Sequence, residues 1–255
     1  MAHVLGVDIG GSGVKAAPVD TVTGELLAER QKFATPQPAT PEAIAKIVAT
    51  LVRTFDWTGP AGVTFPGVVV DGVIWTAANV DPSWIGVDAA KLFGAETGLT
   101  PLTILNDADA AGVAEMRFGA GKDVTGTVLL LTLGTGIGSA LFTDGVLVRN
   151  TEFGHIQIRG KDAEKRASDH AREEHGLSWE DWAGRVDEYL EHMEALLSPK
   201  IIIIGGGVSR KSDKFLPLLT GLRAKVVPAA LQNDAGIVGA AIAVERAHGR
   251  AIVPG

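Results

Sequence analysis

The chain has 255 residues, no cysteine, and a formal net charge of −7 with histidine counted as neutral. That length suits one large domain or two small ones, with enough residues to bury a substantial core without covalent staples. The lack of cysteine excludes disulfides and thiolate metal sites and fits a reducing cytoplasm, while the acidic balance argues against a general nucleic-acid binder. No apolar run approaches the ~20 residues that a membrane helix needs. The N-terminus carries no basic segment followed by an apolar stretch, so no secretory signal is expected.

Short β-branched runs bounded by glycine or proline predict strands at Val4–Ile9, Gly62–Phe65, Leu102–Leu105, Thr127–Leu133 and Ile201–Ile204. Helices are predicted between them. Pro41–Phe55 places Ile44, Ile47, Val48 and Leu51 at helical spacing behind a Thr40–Pro41 start. Asp109–Phe118 is alanine-rich, and Ser178–Leu197 aligns Trp182, Val186, Leu190, Met193 and Leu197 on one face. The alternation predicts an α/β protein with both sheet faces covered.

Two stretches, Gly13–Glu29 and Ile137–Val148, read as hairpins, and each follows a glycine-rich loop. The order strand, glycine loop, strand, turn, strand therefore occurs twice. This coarse repeat implies two related α/β domains with a cleft between them, residues 1–108 and 109–255, with the last helix free to pack back on the first.

Three glycine loops stand out: Asp8-Ile9-Gly10-Gly11-Ser12, Gly134-Thr135-Gly136-Ile137-Gly138 and Gly205-Gly206-Gly207-Val208-Ser209. Glycine lets backbone N–H groups approach a ligand and form a nest for phosphate oxygens. None has the Gly-Lys-Ser/Thr helix start of a P-loop or the spacing of a dinucleotide fingerprint. Asp8, at the end of a buried strand, reads either as a turn cap or as an orienter of Mg²⁺, directly or through water. Lys15 reads either as a phosphate contact or as a solvated lysine.

Asp107 opens a helix at the end of a strand, where open α/β sheets bind ligands, and is the candidate general base; the alternative is a helix cap, which would suit Asp109 equally. Glu152 and His155, three apart in Thr151-Glu152-Phe153-Gly154-His155, can turn toward one hydroxyl-rich ligand. Asn79 adds a candidate amide.

These segments together resemble the ROK sugar kinases: Asp8-Ile9-Gly10-Gly11-Ser12, Phe65-Pro66-Gly67, Asn106-Asp107-Ala108-Asp109-Ala110, Leu133-Gly134-Thr135-Gly136-Ile137-Gly138 and Glu152-Phe153-Gly154-His155, in family order. Asn79-Val80-Asp81-Pro82-Ser83-Trp84, Leu177–Arg185 and Gly205–Lys211 are more narrowly similar to bacterial polyphosphate glucokinases. The resemblance implies a two-domain actin-like ATPase (ribonuclease H-like) fold. It implies transfer of a phosphoryl group from inorganic polyphosphate, and from ATP, to the 6-hydroxyl of glucose with Mg²⁺, in a cytoplasmic homodimer. It implies Asp107 as base; Asn79, Asn106, Glu152 and His155 on the sugar; and phosphate contacts from Gly10, Gly11, Ser12, Lys15, Gly134, Thr135 and Gly136. Gly205, Gly206 and Gly207 would lie near the nucleotide or phosphate tail. Arg210, Lys211 and Lys214 would offer a polyphosphate track, with a solvated helix start as the alternative.

One departure is plain. Many ROK proteins follow Glu-x-Gly-His with a cysteine-rich zinc motif whose glutamate also holds the sugar. Here the charged segment Arg159–Gly176 stands in that place, so no zinc is expected and the replacement for that glutamate is open. The competing readings are an ATP-only hexokinase or mannokinase, a silent sugar sensor, and a phosphate hydrolase.

Overall fold

The computed structural model describes residues 3–77 and 79–247. They fall into two compact units, one holding the residues up to Ala114 together with those from Asp234 onward, the other spanning Glu115–Asn233.

The first unit is built on β1 (His3–Gly10), β2 (Gly13–Asp20), β3 (Gln31–Phe33), helix α1 (Pro41–Thr54), β4 (Ala61–Phe65), the short hairpin β5 (Val69–Val70) and β6 (Val73–Ile74), α2 (Ala89–Thr97) and β7 (Leu102–Asn106). Its sheet runs β3-β2-β1-β4-β7, antiparallel through β2 and β3 and parallel through β4 and β7. Every residue of β4 is buried, as is most of β1, which is why both read as unbroken apolar runs. Thr40 caps α1 by accepting the Ala43 N–H, and Ile44, Val48 and Leu51 turn inward. Trp84 fills the space between Phe65 and Phe93 and donates its indole N–H to the Ala39 carbonyl. Helix α3 (Asp107–Phe118) leads the chain out of this unit.

The second unit follows with β8 (Thr127–Leu133), β9 (Ile137–Thr143), β10 (Val146–Val148), the two-residue pair β11 (Gln157–Ile158) and β12 (Lys161–Asp162), helices α4 (Glu164–Ala167), α5 (Asp169–Glu174) and α6 (Trp179–Leu197), then β13 (Ile201–Gly205) and β14 (Lys225–Pro228). Its sheet order, β10-β9-β8-β13-β14, repeats that of the first, with the same antiparallel and parallel halves. Ser178 caps α6, which buries Trp182, Val186, Tyr189, Leu190 and Met193. Burial pushes the Tyr189 phenol well above its ordinary range.

The chain returns to the first sheet through α7 (Ala235–Ala247), which packs on β1 and β4. The approach is backbone to backbone. A Cβ at Gly6 would collide with the Ile237 carbonyl, and one at Gly62 with that of Ala240. No helix among the described residues is long and apolar enough to cross a membrane.

Two expected elements differ. The hairpin over Gly13–Glu29 turns within that stretch, with the Asp20 N–H donating to the Glu25 carbonyl, but its returning strand is β3 at Gln31–Phe33, and residues 25–30 pair with β2 through a bridge from Leu26 to Val19. The Asp20 carboxylate takes the Val22 and Thr23 N–H groups, which fixes a turn, and Leu27 is left exposed with nothing to cover it. The helix predicted from Asp109 begins at Asp107, because the cap is Asn106, whose side-chain oxygen accepts the Asp109 N–H.

Candidate active site

In the first unit the glycine loop is a tight turn. Gly10 pairs with Gly13 across β1 and β2, leaving Gly11 and Ser12 at the tip. That register sets Asp8 opposite Lys15, and the Lys15 Nζ lies 3.2 Å from Asp8 Oδ2. The Thr64 hydroxyl donates to Asp8 Oδ1 at 2.9 Å and accepts the Ile9 N–H. The N-terminal turn of α7 closes over the same carboxylate, since a Cβ at Gly236 would meet it. Asp8 is thus a held, partly exposed carboxylate. Its hard oxygens suit a Mg²⁺ ion that keeps most of its waters and phosphate ligands. Lys15 is committed to Asp8 as half of an ion pair.

Asn106 is buried and both ends of its amide are in use. Its nitrogen donates to the Gly67 carbonyl at 3.1 Å, and its oxygen caps α3. This one side chain ties Phe65-Pro66-Gly67 to the start of α3. Asp107 occupies the first turn, half-buried, and accepts the Ala108 N–H through Oδ1 at 2.8 Å. A carboxylate there is favoured by the helix N-terminus. Asp109 is buried and faces inward. Asn79 is exposed with φ 62°, in the left-handed region, and its Cβ would lie 3.1 Å from a Cβ at Gly11. Asn79 therefore belongs with the first glycine turn. Backbone strain of this kind gathers at ligand sites.

In the second unit the glycine loop Gly134-Thr135-Gly136 joins β8 to β9, with Thr135 exposed at its tip. The third loop lies alongside. Gly205 pairs with Thr132, and Gly206, at φ 81°, packs on the Leu133 carbonyl. The Glu152–His155 turn is pinned to β9. Ser139 donates to the Thr151 carbonyl at 2.7 Å and accepts the Phe153 N–H at 3.1 Å. A Cβ at Gly154 would strike the Ile137 carbonyl, which explains the glycine in that motif.

His155 projects from this turn, more than half exposed, toward three carboxylates: Glu152 at 3.8 Å, Asp162 at 3.8 Å and Glu164 at 3.9 Å. Burial pushes the Glu152 carboxyl above its ordinary range, with His155 opposing the rise and Glu164 adding to it. Glu164 faces two ways. Its Oε2 accepts the Ile137 N–H of the glycine loop at 3.3 Å, and Oε1 is the oxygen nearest His155.

Sequence reasoning named Glu152 and His155 but missed Asp162 and Glu164. They lie in the charged segment, and only the β11–β12 turn and the start of α4 bring them back. Donor atoms of His155, Asp162 and Glu164 lie within 4.8 Å of one another, a set able to hold either a cation or sugar hydroxyls. Asp162 is also paired with Lys165 at 3.5 Å. Thr135, Asp162, Glu164, Lys165 and His170 line a cavity of about 710 Å³ in this unit. Arg210, Lys211 and Lys214 follow the third loop on a 3₁₀ segment, all exposed.

The chain is 56% identical over 241 residues to the polyphosphate glucokinase of Mycobacterium tuberculosis, covering 94% of this chain and 91% of that protein. It superimposes on the crystal structure of the inorganic polyphosphate/ATP-glucomannokinase of Arthrobacter sp. strain KM with a TM-score of 0.93 at 50% identity, over 97% of this chain and all of that one. A ROK family glucokinase from Streptomyces griseus, solved with glucose and AMPPNP, matches at TM-score 0.80 and 26% identity over 96% and 99% of the two chains. These neighbours carry the actin-like ATPase fold, and the ROK family model matches residues 4–174. The chain belongs to the ROK family.

Proposed function

We propose that the protein is a polyphosphate-dependent glucokinase that also accepts ATP. The observation that carries this reading is Glu164, one carboxylate fastened to the second glycine loop through the Ile137 amide while it faces His155. A group suited to sugar hydroxyls and a loop suited to phosphate are thereby built as one piece. The identity to the mycobacterial polyphosphate glucokinase supports the donor and the sugar.

In the reaction, Asp107 takes the proton from the 6-hydroxyl of glucose as that oxygen attacks the terminal phosphoryl group. A new O–P bond forms, and the bond to the bridging oxygen breaks, leaving a donor shorter by one phosphate. Glu152 and His155 hold the sugar, and Glu164 takes the place of the second sugar-binding glutamate. Asn79 and the second amide hydrogen of Asn106 add sugar contacts. The N–H groups of Gly10, Gly11 and Ser12 and of Gly134, Thr135 and Gly136 bind phosphate oxygens, with Gly205, Gly206 and Gly207 toward the rest of the donor. Asp8, paired with Lys15, would hold Mg²⁺, directly or through water. When bound, the ion neutralises charge on the donor phosphates. A homodimer in the cytoplasm completes the reading.

The test is production of glucose 6-phosphate from glucose and Mg²⁺, with polyphosphate and ATP supplied in separate reactions. Turnover with polyphosphate at or above the ATP rate supports the assignment; turnover with ATP alone removes the donor. The Arthrobacter relative is named for mannose as well, so mannose is the second sugar to assay.

A further inference from the structure

In the second unit, a single indole collects three cations. The Arg172 guanidinium carbon lies 4.3 Å from the Trp179 ring centroid, the Lys214 ammonium 5.5 Å and the Lys211 ammonium 5.8 Å. The ring itself is anchored from within, stacked on buried Phe215 at 6.3 Å and met edge-on by buried Trp182 at 5.8 Å. Arg172 is held as firmly. Its side chain is only 14% exposed and is bound by Asp169 at 2.9 Å and Glu173 at 3.0 Å. Its charge is therefore spent locally, and its role is to brace the ring.

The two lysines differ from Arg172. Both are exposed, and neither has a carboxylate within ion-pair distance among the described residues. They sit on the 3₁₀ segment Gly207–Lys214 that begins in the third glycine loop. The segment kinks at Lys211, whose backbone is non-helical at φ −113° and ψ 24°, and it is the Trp179 ring that brings Lys211 and Lys214 together. In a chain of net charge −7, two like charges aligned over one ring and unmatched by acid are held at a cost that a bound anion would relieve.

The ring is also a poor seat for a nucleotide base. One position over it belongs to the Arg172 guanidinium, and Phe215 is stacked nearly parallel to it at 15°. A purine would have to displace a largely covered, doubly paired arginine. An extended phosphate chain needs no ring face, only cations at intervals along its path.

We propose that Lys211 and Lys214, set in place by Trp179 and Arg172, form a subsite for the distal phosphates of a long polyphosphate chain and raise its affinity over that of ATP or a three-phosphate chain. The subsite rests on the polyphosphate reading above, and narrows the track from Arg210, Lys211 and Lys214 to the two lysines gathered at the Trp179 ring.

The test compares wild type with the Lys211→Gln/Lys214→Gln double variant in two measurements. The first is direct binding of a chain of several tens of phosphates and of tripolyphosphate, read from tryptophan fluorescence without sugar. The second is kcat/KM for the long chain, tripolyphosphate and ATP. The double variant is expected to bind the long chain about tenfold more weakly. The slope of its log affinity against log salt becomes shallower by about one to two, as counterion release predicts for two lost contacts on a linear polyanion. Its ratio of kcat/KM for the long chain to that for ATP falls about tenfold. The Lys211→Arg/Lys214→Arg variant restores the long-chain affinity. Equal fractional losses for the long chain and tripolyphosphate, or long-chain binding within twofold of wild type, overturn the subsite. The two failures are distinguishable. A wild-type enzyme that makes no product from polyphosphate defeats the donor assignment by activity, whereas the subsite is judged by binding and by the ratio between chain lengths.

Discussion

The two sheets share one strand order but furnish their glycine turns differently. The turn between β1 and β2 is two residues long and is flanked by charges on its own strands, Asp8 and Lys15, set opposite each other by the hairpin register. The turn between β8 and β9 is three residues long, has no charge of its own, and takes one from Glu164, which lies 27 residues downstream of the amide it binds. A single topology has thus been fitted out once from within a hairpin and once by a distant segment. The lesson is that a repeated backbone fixes where the turns fall, not where their chemistry comes from. In the proposed reaction the division continues: proton transfer belongs to Asp107 in the first unit, and the carboxylates around His155 in the second serve recognition.

The sharpest way to break that division is Asp107→Ala. It should lower kcat by about 10²–10⁴-fold, the range for loss of a general base, while glucose binding measured by calorimetry stays within a few-fold. Loss of sugar binding in step with kcat would move Asp107 from catalysis to recognition.

The next largest effect concerns the first unit's reliance on close backbone contact. Gly62→Ala forces a Cβ into the Ala240 carbonyl and should cost about 3 kcal/mol, at the upper end for overpacking, visible as a lowered midpoint in urea. An unchanged midpoint would mean that α7 can shift off the sheet freely.

Glu152 tests the second unit. Because burial raises its carboxyl, an ionised Glu152 is lost at a pH above the ordinary carboxylate range. KM for glucose should rise as pH falls through that region, with kcat less affected. Glu152→Gln should raise KM about tenfold, near the loss expected for a hydrogen bond to a charged group, and flatten that pH dependence. The stability sign follows from the same shift. A raised native pKa means that ionising Glu152 costs stability, which is complete below the unfolded pKa and lost as pH rises through the folded one. Glu152→Gln should therefore raise Tm slightly at pH 7 and leave it unchanged at pH 4. A fall in Tm at pH 7 would contradict a net cost of ionising this partly buried carboxylate.

The smallest effect is a control on the glycines. Gly184 lies exposed in the middle of α6 with nothing near its Cβ position. Gly184→Ala should stabilise by about 0.5–1 kcal/mol through helix propensity alone. Destabilisation would place an unrecognised contact on that face.

What could be read from the sequence was what local pattern encodes. β1, β4, β8 and β13 are buried strands and therefore continuous apolar runs. α6 announced itself through the spacing of Trp182, Val186, Leu190 and Met193 and through the Ser178 cap. Glu152 and His155 were legible because they fall in one short turn. Glu164 and Asp162 were not, because the segment around them is uniformly charged and only the β11–β12 turn returns them to His155. The pairing of Lys15 with Asp8 was hidden for a subtler reason: it follows from the two-residue turn, and one more residue at the tip would have shifted the register and faced Lys15 away. The late start of β3 escaped because residues 25–30, Glu25-Leu26-Leu27-Ala28-Glu29-Arg30, group apolar and charged residues without the alternation that marks a strand.

The placement of α7 has a consequence for how the protein is made. The first unit is assembled from two stretches far apart in the chain, whereas the second is continuous. On the ribosome, β1 to β7 emerge first but lack the helix that seals β1 and β4. The second unit has all of its parts once residue 233 is out. The later-synthesised unit can thus finish folding first, and the earlier one must keep an open apolar sheet face until the last helix arrives. That interval is when a chaperone would find the most to hold.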